Sequence, residues 1–280
     1  MFKLALDAGH GLHTAGKRCL KSIDKNETRE WTLNSRICSR LQEKLKEYDG
    51  IEVKRVDDTT GKTDVPLATR CNTANTWGAD FYLSVHHNAG INGGSGGGLV
   101  VYRYNKLSES GETAKWQKTF YEKLVAAGVP KGNRATPLGT ATFTVLADTK
   151  MKAVLIECGF MDSTVDTPLI LTEAFADKVV DGCINALVIL AGIKKKVVAQ
   201  APAVSEPEEP KEEVKTESVK ETPQTAVTEK EVEAAEEPSV ENPELSETPS
   251  ATTVKKPWVE VVKEILKLIL DWLKAINMSK

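Results

Sequence analysis

Three polar residues follow apolar, strand-like runs in this 280-residue chain. One run leads to Glu157, two residues before Gly159, and two others lead to His10 and His86. A fourth candidate, Glu30, lies where a helical pattern begins. Two histidines and one carboxylate form a zinc ligand set, and a second carboxylate can then transfer protons. The positions of these residues therefore predict one metal centre with a glutamate beside it.

Each candidate also has a simpler structural explanation. His10 could cap a turn, and Glu30 could be a first-turn glutamate favoured by the helix dipole. Asn88 could end a strand through its own side chain. A Gly-His pair directly after a strand favours the metal role for His10, because glycine allows close approach to a ligand.

The elements that must position these residues follow from the hydrophobic pattern. Strands are predicted near residues 2–6, 51–56, 81–86, 98–103, 142–147 and 153–158. Helices are predicted near residues 30–47, 66–77, 109–127 and 172–192. Strands that alternate with helices indicate an α/β fold, with a single mixed, mostly parallel sheet flanked by helices. Such sheets place their sites at the carboxyl ends of the strands.

A glycine-rich segment, residues 90–98, follows His86 directly. Its composition predicts a mobile loop, which either shapes a substrate groove or serves only as a flexible connector. It lacks the lysine and the following helix of a phosphate-binding loop.

Several ordered motifs resemble one family of enzymes. The motifs are Asp7-Ala8-Gly9-His10, Glu30 with Asn34 four residues later, and Ser84-Val85-His86-His87-Asn88-Ala89. Segments 70–75, 79–80 and 143–146 add to the likeness. Over roughly the first 190 residues the chain resembles the zinc-dependent N-acetylmuramoyl-L-alanine amidases of the type 3 family, which are peptidoglycan hydrolases of bacterial autolysins and phage endolysins.

The resemblance implies a role for each candidate residue. His10, Glu30 and His86 would bind Zn²⁺, and Glu157 would be the catalytic base. The spacing to Asn34 selects Glu30 over Glu27, and the spacing to Asn88 selects His86 over His87. The remaining candidates, which would contact the ligands or the substrate, are His13, His87, Asn88 and Arg70. Glu27 is expected to be a solvated charge.

Amide hydrolysis at neutral pH needs an activated nucleophile and a positive charge near the developing oxyanion. Zinc supplies both, and a glutamate moves the proton from water to the leaving amine. The resemblance supplies the substrate, which is the bond between the lactyl group of N-acetylmuramic acid and L-alanine in bacterial peptidoglycan. Two alternatives stay open: a zinc peptidase of the stem peptide, and a non-catalytic wall-binding module with the same fold.

Composition divides the chain into a predicted catalytic domain, residues 1–196, a linker, 197–255, and a terminal segment, 256–280. Residues 205–248 contain 15 Glu, 4 Lys and no aromatic residue, so this stretch cannot bury enough apolar surface to fold and is predicted to be disordered. Its charge is −11, which leaves +8 for the rest of a chain whose total is −3. A mildly basic domain suits an anionic cell wall, although ordinary solubility explains it equally well.

The terminal segment 256–276 has the pattern of an amphipathic helix with an apolar arc too wide to remain exposed in a monomer. Charges interrupt it too often for a membrane span. Self-association, docking on the catalytic domain, wall binding and membrane-surface binding stay open. Self-association is favoured over the membrane surface, because the polar stripe carries equal numbers of Lys and acidic residues. No nucleic-acid partner is predicted.

Two further observations bear on the compartment. The five cysteines are an odd number without Cys-x-x-Cys spacing, which argues against a disulfide framework and a cysteine-based zinc site. The first residues already read as a strand and lack a signal-peptide apolar region. The chain is therefore expected to be made in the cytoplasm and to act on the wall after release, as a phage endolysin does.

Overall fold

The computed structural model describes residues 1–197. The predicted linker, apart from Val197, and the predicted terminal helix at 256–280 lie outside the described residues.

Strands and helices alternate along most of the described chain. The strands are β1 (Phe2–Ala8), β2 (Tyr48–Asp49), β3 (Ile51–Arg55), β4 (Phe81–Asn88), β5 (Val100–Tyr104), β6 (Leu138–Ala141), β7 (Lys152–Phe160) and β8 (Lys194–Lys195). The helices are α1 (Glu30–Leu45), α2 (Leu67–Trp77), α3 (Glu112–Ala126), α4 (Thr144–Ala147), α5 (Asp166–Ile170) and α6 (Glu173–Ala191). The four long helices and five of the six predicted strands are confirmed.

A six-stranded sheet in the order β3-β1-β4-β7-β5-β6 forms the centre of the fold. Strands β3, β1, β4 and β7 are parallel, β5 runs antiparallel to β7, and β6 is parallel to β5. This arrangement confirms the predicted single mixed, mostly parallel sheet flanked by helices. A separate antiparallel pair joins β2 to β8. Three neighbouring strands in the middle of the sheet position candidate residues: β1 leads to His10, β4 carries His86 and β7 carries Glu157.

Helices cover both faces of the sheet. One face packs against α1, α3 and α6 in a large apolar core that includes Leu41, Phe120 and Val179. The other face packs against α2 and α4 in a smaller core with Ala74 and Leu155. Because β1 and β4 are buried on both faces, their apolar runs are almost continuous and do not alternate with polar residues.

The strand predicted at 142–147 is wrong. The sheet's edge strand, β6, ends at Ala141, and residues 144–147 form the short helix α4. Hydrogen bonds of 2.8 and 3.0 Å from the N–H groups of Leu146 and Ala147 to the carbonyl of Phe143 close this turn. The adjacent residues Val145 and Leu146 are both buried, whereas a strand with one covered face would bury only one of them. A short apolar run does not distinguish a strand from a buried helical turn, so packing decides.

The described residues hold all five cysteines, and each is a free, buried thiol. This agrees with the prediction that the fold has no disulfide framework. In residues 1–197, no helix is both long and apolar enough to cross a membrane.

Candidate metal centre

The turn after β1 brings the first histidine to the sheet edge. A Cβ atom at Gly9 would overlap the ring of His86, so only glycine allows this close approach. His10 follows with a left-handed backbone at φ 68°, which few non-glycine residues adopt. The strained turn aims His10 across the end of β1 toward the neighbouring strand β4.

Three side chains from separate elements meet beside this turn. His10 Nε2 lies 3.3 Å from Glu30 Oε2, and His86 Nδ1 lies 3.0 Å from Glu30 Oε1. The two imidazole rings are 4.9 Å apart and nearly perpendicular. One ligand atom from each of the three residues lies within 4.8 Å of the others. The structure therefore assembles the predicted group of two histidines and one carboxylate.

Glu30 is the centre of this group. It is the first residue of α1, where the positive end of the helix dipole favours a carboxylate, and its side chain is 1% exposed. Burial alone would raise the pKa of the Glu30 carboxyl, but hydrogen bonds with His10 and His86 hold that pKa well below its usual range. Among the described residues, its buried Oε2 atom has no hydrogen bond of good geometry. An ionised carboxylate between two imidazole nitrogens has the donor set that a divalent cation such as zinc accepts.

Glu157 lies next to this cluster without being part of it. It is on β7, directly paired in register with His86 on β4. Its Oε2 atom is buried and has no hydrogen-bond partner within residues 1–197. Burial raises the pKa of Glu157 from 4.5 to about 7, an effect that the positive charges of His86 and Lys17 oppose and the charge of Glu30 reinforces. A carboxyl group that titrates near neutral pH can both accept and release a proton during turnover.

His87 faces the other side of β4. Its Nδ1 lies 2.8 Å from Asn34 Oδ1, and Asn34 Nδ2 donates to the Gly9 carbonyl at 3.1 Å. The backbone N–H of His87 also donates to Glu30 Oε1 at 3.2 Å. Burial lowers the pKa of His87 to about 4, so its ring is neutral. His87 and Asn34 thus connect the strand ends to helix α1 and support the cluster from behind.

Arg70 holds the His10 turn in place. Its guanidinium group is buried and donates to Asp7 Oδ1 at 2.6 Å, to the carbonyl of Ala8 at 2.8 Å and to the carbonyl of His10 at 3.0 Å. Asp7 also accepts a hydrogen bond of 2.7 Å from Ser84 on the next strand. Arg70, which was expected to contact the ligands or the substrate, therefore contacts the backbone that carries His10.

The other candidate residues lie away from the cluster. Asn88 accepts a hydrogen bond from the N–H of Ala89 at 2.8 Å, as expected of a residue that ends a strand. His13 is exposed and is not one of the three clustered residues. Glu27 forms a surface ion pair with Arg18 at 2.8 Å, in keeping with its expected role as a solvated charge.

The glycine-rich segment is anchored at its start. The N–H groups of residues 90–92 donate to a single oxygen, Asp162 Oδ2, at 2.7 to 2.8 Å. Near its end, the N–H of Gly98 donates to Asp166 Oδ2 at 2.6 Å. The composition of the segment, which also fits a simple flexible connector, gives no sign of these two carboxylates, because they lie about 70 residues further along the chain.

A groove of about 390 Å³ opens beside the cluster. His10, His86 and Glu157 form one part of its lining, and Lys17 and Phe143 form another. No motif in the sequence points to Lys17, because it lies in an irregular loop whose path the hydrophobic pattern does not determine. The groove therefore lies directly against the candidate ligands and Glu157.

Comparisons with known proteins relate the chain to one family. Residues 4–188 match the sequence model of a family described as N-acetylmuramoyl-L-alanine amidase. The chain is 33% identical over 196 residues to a sporulation-specific N-acetylmuramoyl-L-alanine amidase of Bacillus subtilis (strain 168), a match that covers 70% of each protein. It is 30% identical over 199 residues to an endolysin of Bacillus phage SPP1, covering 70% of this chain and 69% of the endolysin.

Solved structures also resemble the chain. The crystal structure of the N-acetylmuramoyl-L-alanine amidase from Clostridium difficile 630 aligns with a TM-score of 0.60 and 26% identity. The alignment covers 68% of this chain and 97% of that structure. The matched part corresponds in extent to the α/β domain that carries the cluster.

Proposed function

This chain belongs to the N-acetylmuramoyl-L-alanine amidase family, and from that premise we propose that it cleaves the bond between the muramoyl lactyl group and L-alanine with zinc held by His10, Glu30 and His86. The zinc site is supported most strongly by three potential ligand atoms, one from each of these residues, that lie within 4.8 Å of one another. When bound, zinc would act as a Lewis acid that activates water and stabilises negative charge on the scissile carbonyl oxygen.

Side chains of the protein orient the proposed zinc ligands. His10 must present Nε2 and His86 must present Nδ1 as lone pairs, which requires both rings to be neutral. The buried carboxylate of Glu30 is shared between the two rings and keeps their nitrogens directed at one point. Arg70 fixes the backbone of His10, and Asn34 fixes the carbonyl of Gly9.

Glu157 is proposed as the proton carrier. Its unpartnered Oε2 atom would accept a proton from the attacking water and then donate that proton to the nitrogen of the departing L-alanine. The raised pKa favours both transfers, because a group that titrates near pH 7 accepts a proton from water and gives it to an amine without a large energy penalty in either step. The pairing of Glu157 with His86 across neighbouring strands keeps this carboxyl beside the proposed ligands.

Product analysis tests the bond assignment. Purified peptidoglycan digested with the protein should yield new amino termini only on L-alanine, together with free lactyl carboxyl groups on muramic acid, as measured by amino-terminal labelling and mass spectrometry. A Glu157→Gln variant is the matched control and should yield neither product above background. New amino termini on any residue other than L-alanine would instead indicate a peptidase of the stem peptide.

We further propose that the cellular role is lysis of a bacterial host after synthesis in its cytoplasm. The similarity to the endolysin of phage SPP1 supports this role, whereas the similarity to the sporulation-specific amidase favours a role in sporulation as the alternative. Expression in a Bacillus host should cause rapid lysis only when a pore-forming agent opens the membrane. The Glu157→Gln variant should not lyse the cells under the same conditions, and the absence of lysis by the parent protein would contradict the endolysin role.

A further inference from the structure

Lys17 lies at the edge of the groove, between the proposed metal ligands and the solvent. Its carbonyl accepts a hydrogen bond of 3.0 Å from the N–H of Glu30, so its backbone is fixed at the start of α1. Its ammonium group lies 4.0 Å from Glu30 Oε2, and its side chain is 45% exposed. It lines the groove together with Glu157 and Phe143. Lys17 therefore places its positive charge on the wall of the groove, beside the proposed ligands.

The neighbouring basic residues are engaged elsewhere. Arg18 pairs with Glu27 at 2.8 Å on the surface. Arg29 donates to the carbonyls of Leu12 and Thr14 at 2.6 and 2.7 Å. Among the lining residues that the described part of the chain contributes, Lys17 alone carries a permanent positive charge. Its nearest carboxylate belongs to Glu30, which two histidines already share.

The charges around the groove indicate what Lys17 can bind. Glu30 and Glu157 can each contribute one negative charge, and Lys17 contributes one positive charge. A bound divalent cation would leave the group with a net charge of about +1, which favours a substrate with one negative charge close to the reacting bond. The carboxyl group of the muramoyl unit is already part of the scissile amide, so a free carboxylate must come from the peptide.

We propose that Lys17 binds a carboxylate of the peptide on the L-alanine side of the scissile bond and so makes the enzyme prefer an acidic residue after L-alanine. This inference rests on the proposed amidase function. Lys17 has a flexible four-carbon stem and three N–H donors, so its ammonium group can follow a carboxylate in the groove. A charge-assisted hydrogen bond at a half-exposed position changes substrate affinity by about tenfold.

Two substrates and two variants test the proposal. The substrates are synthetic N-acetylmuramoyl-L-alanyl peptides that differ only in whether the residue after L-alanine carries a carboxylate or a carboxamide. Lys17→Met removes the charge and keeps most of the side-chain length, and Arg18→Met is the matched control outside the groove. The parent protein and Arg18→Met should show a KM about tenfold lower for the carboxylate substrate, with little difference in kcat. In Lys17→Met the ratio between the two substrates should fall to near one.

A binding measurement separates substrate recognition from catalysis. Calorimetry on Glu157→Gln should show tighter binding of the carboxylate peptide than of the carboxamide peptide, and the additional Lys17→Met substitution should abolish this preference. If Lys17→Met lost the same affinity for both substrates, or contained less zinc, Lys17 would instead support Glu30 and the proposal would be overturned. Equal KM values for the two substrates in the parent protein would also overturn it while leaving the amidase function intact. Cleavage of neither substrate would contradict the proposed function itself.

Discussion

Replacement of Glu157 by glutamine should separate turnover from folding in a pH-dependent way. The substitution keeps the shape of the side chain and removes its ability to carry a proton. General acid and base catalysis contributes about 10²- to 10⁴-fold to a rate, so kcat should fall by about 10³-fold, equivalent to about 4 kcal/mol in the activation barrier. The zinc content should stay at one ion per domain, because the three ligand atoms come from other residues.

The stability effect follows from the raised pKa of Glu157. Below pH 4.5 both the folded and the unfolded chain hold the proton, so the ionisation of Glu157 costs no stability. As the pH rises from 4.5 to about 7, the unfolded chain releases this proton while the folded chain retains it, and the free energy of unfolding decreases. The full penalty above pH 7 is about 3 kcal/mol, since each pH unit between the two pKa values corresponds to about 1.4 kcal/mol.

A glutamine side chain at this position cannot ionise and escapes this penalty. In metal-free protein, urea unfolding should show that the stability of Glu157→Gln relative to the parent rises by about 2 kcal/mol between about pH 5 and pH 8. Glu27→Gln is the matched control, because it also replaces one carboxylate by an amide, but in a surface ion pair with Arg18 outside the cluster. A stability difference that is independent of pH would refute a raised pKa, and loss of zinc from Glu157→Gln would show that Glu157 is a ligand.

Three further predictions address the ligands, their support and the tail. His86→Ala should lower the zinc affinity measured by isothermal titration at least about 100-fold. His87→Ala should keep zinc and lose about 1 to 3 kcal/mol of stability, because its hydrogen bond with Asn34 disappears. The reverse order of effects would overturn the choice between the two histidines. Arg70→Met should destabilise the fold by about 3 to 5 kcal/mol in urea unfolding, because it leaves the buried carboxylate of Asp7 without its partner, and an effect below about 1 kcal/mol would contradict this role. Light scattering should show an oligomer for the full chain and a monomer for a chain that ends at Lys196, and two monomers would refute self-association through residues 256–276.

Local pattern was sufficient to propose the ligand set. His10 and His86 follow apolar runs, Glu30 begins a helix, and Glu157 follows the apolar run Val154–Ile156 within a strand that continues to Phe160. Parallel strands place their carboxyl ends at one edge, so residues that follow different strands meet there without any knowledge of distances. The fold class and the four long helices could also be predicted, because hydrophobic periodicity is a local property of the sequence.

Other features depend on contacts that periodicity does not encode. Residues 142–147 have strand-like composition, yet they fold as a turn because Val145 and Leu146 pack together against α2 and β7. The loop at 90–98 has the composition of a flexible connector, yet Asp162 accepts three of its backbone N–H groups. In both cases a partner distant in sequence determines the conformation.

The amino-acid pattern, together with the resemblance to the amidase motifs, was enough to propose the four residues of the candidate site, whereas the contacts of their neighbours depend on packing. His10, Glu30, His86 and Glu157 could be predicted together, because strand ends and helix starts are local properties of the chain. Only the packed fold shows that Arg70 holds the His10 turn and that Lys17 borders the groove. These roles depend on the path of loops and on distances between residues far apart in the chain, which are fixed when the sheet and its helices pack together.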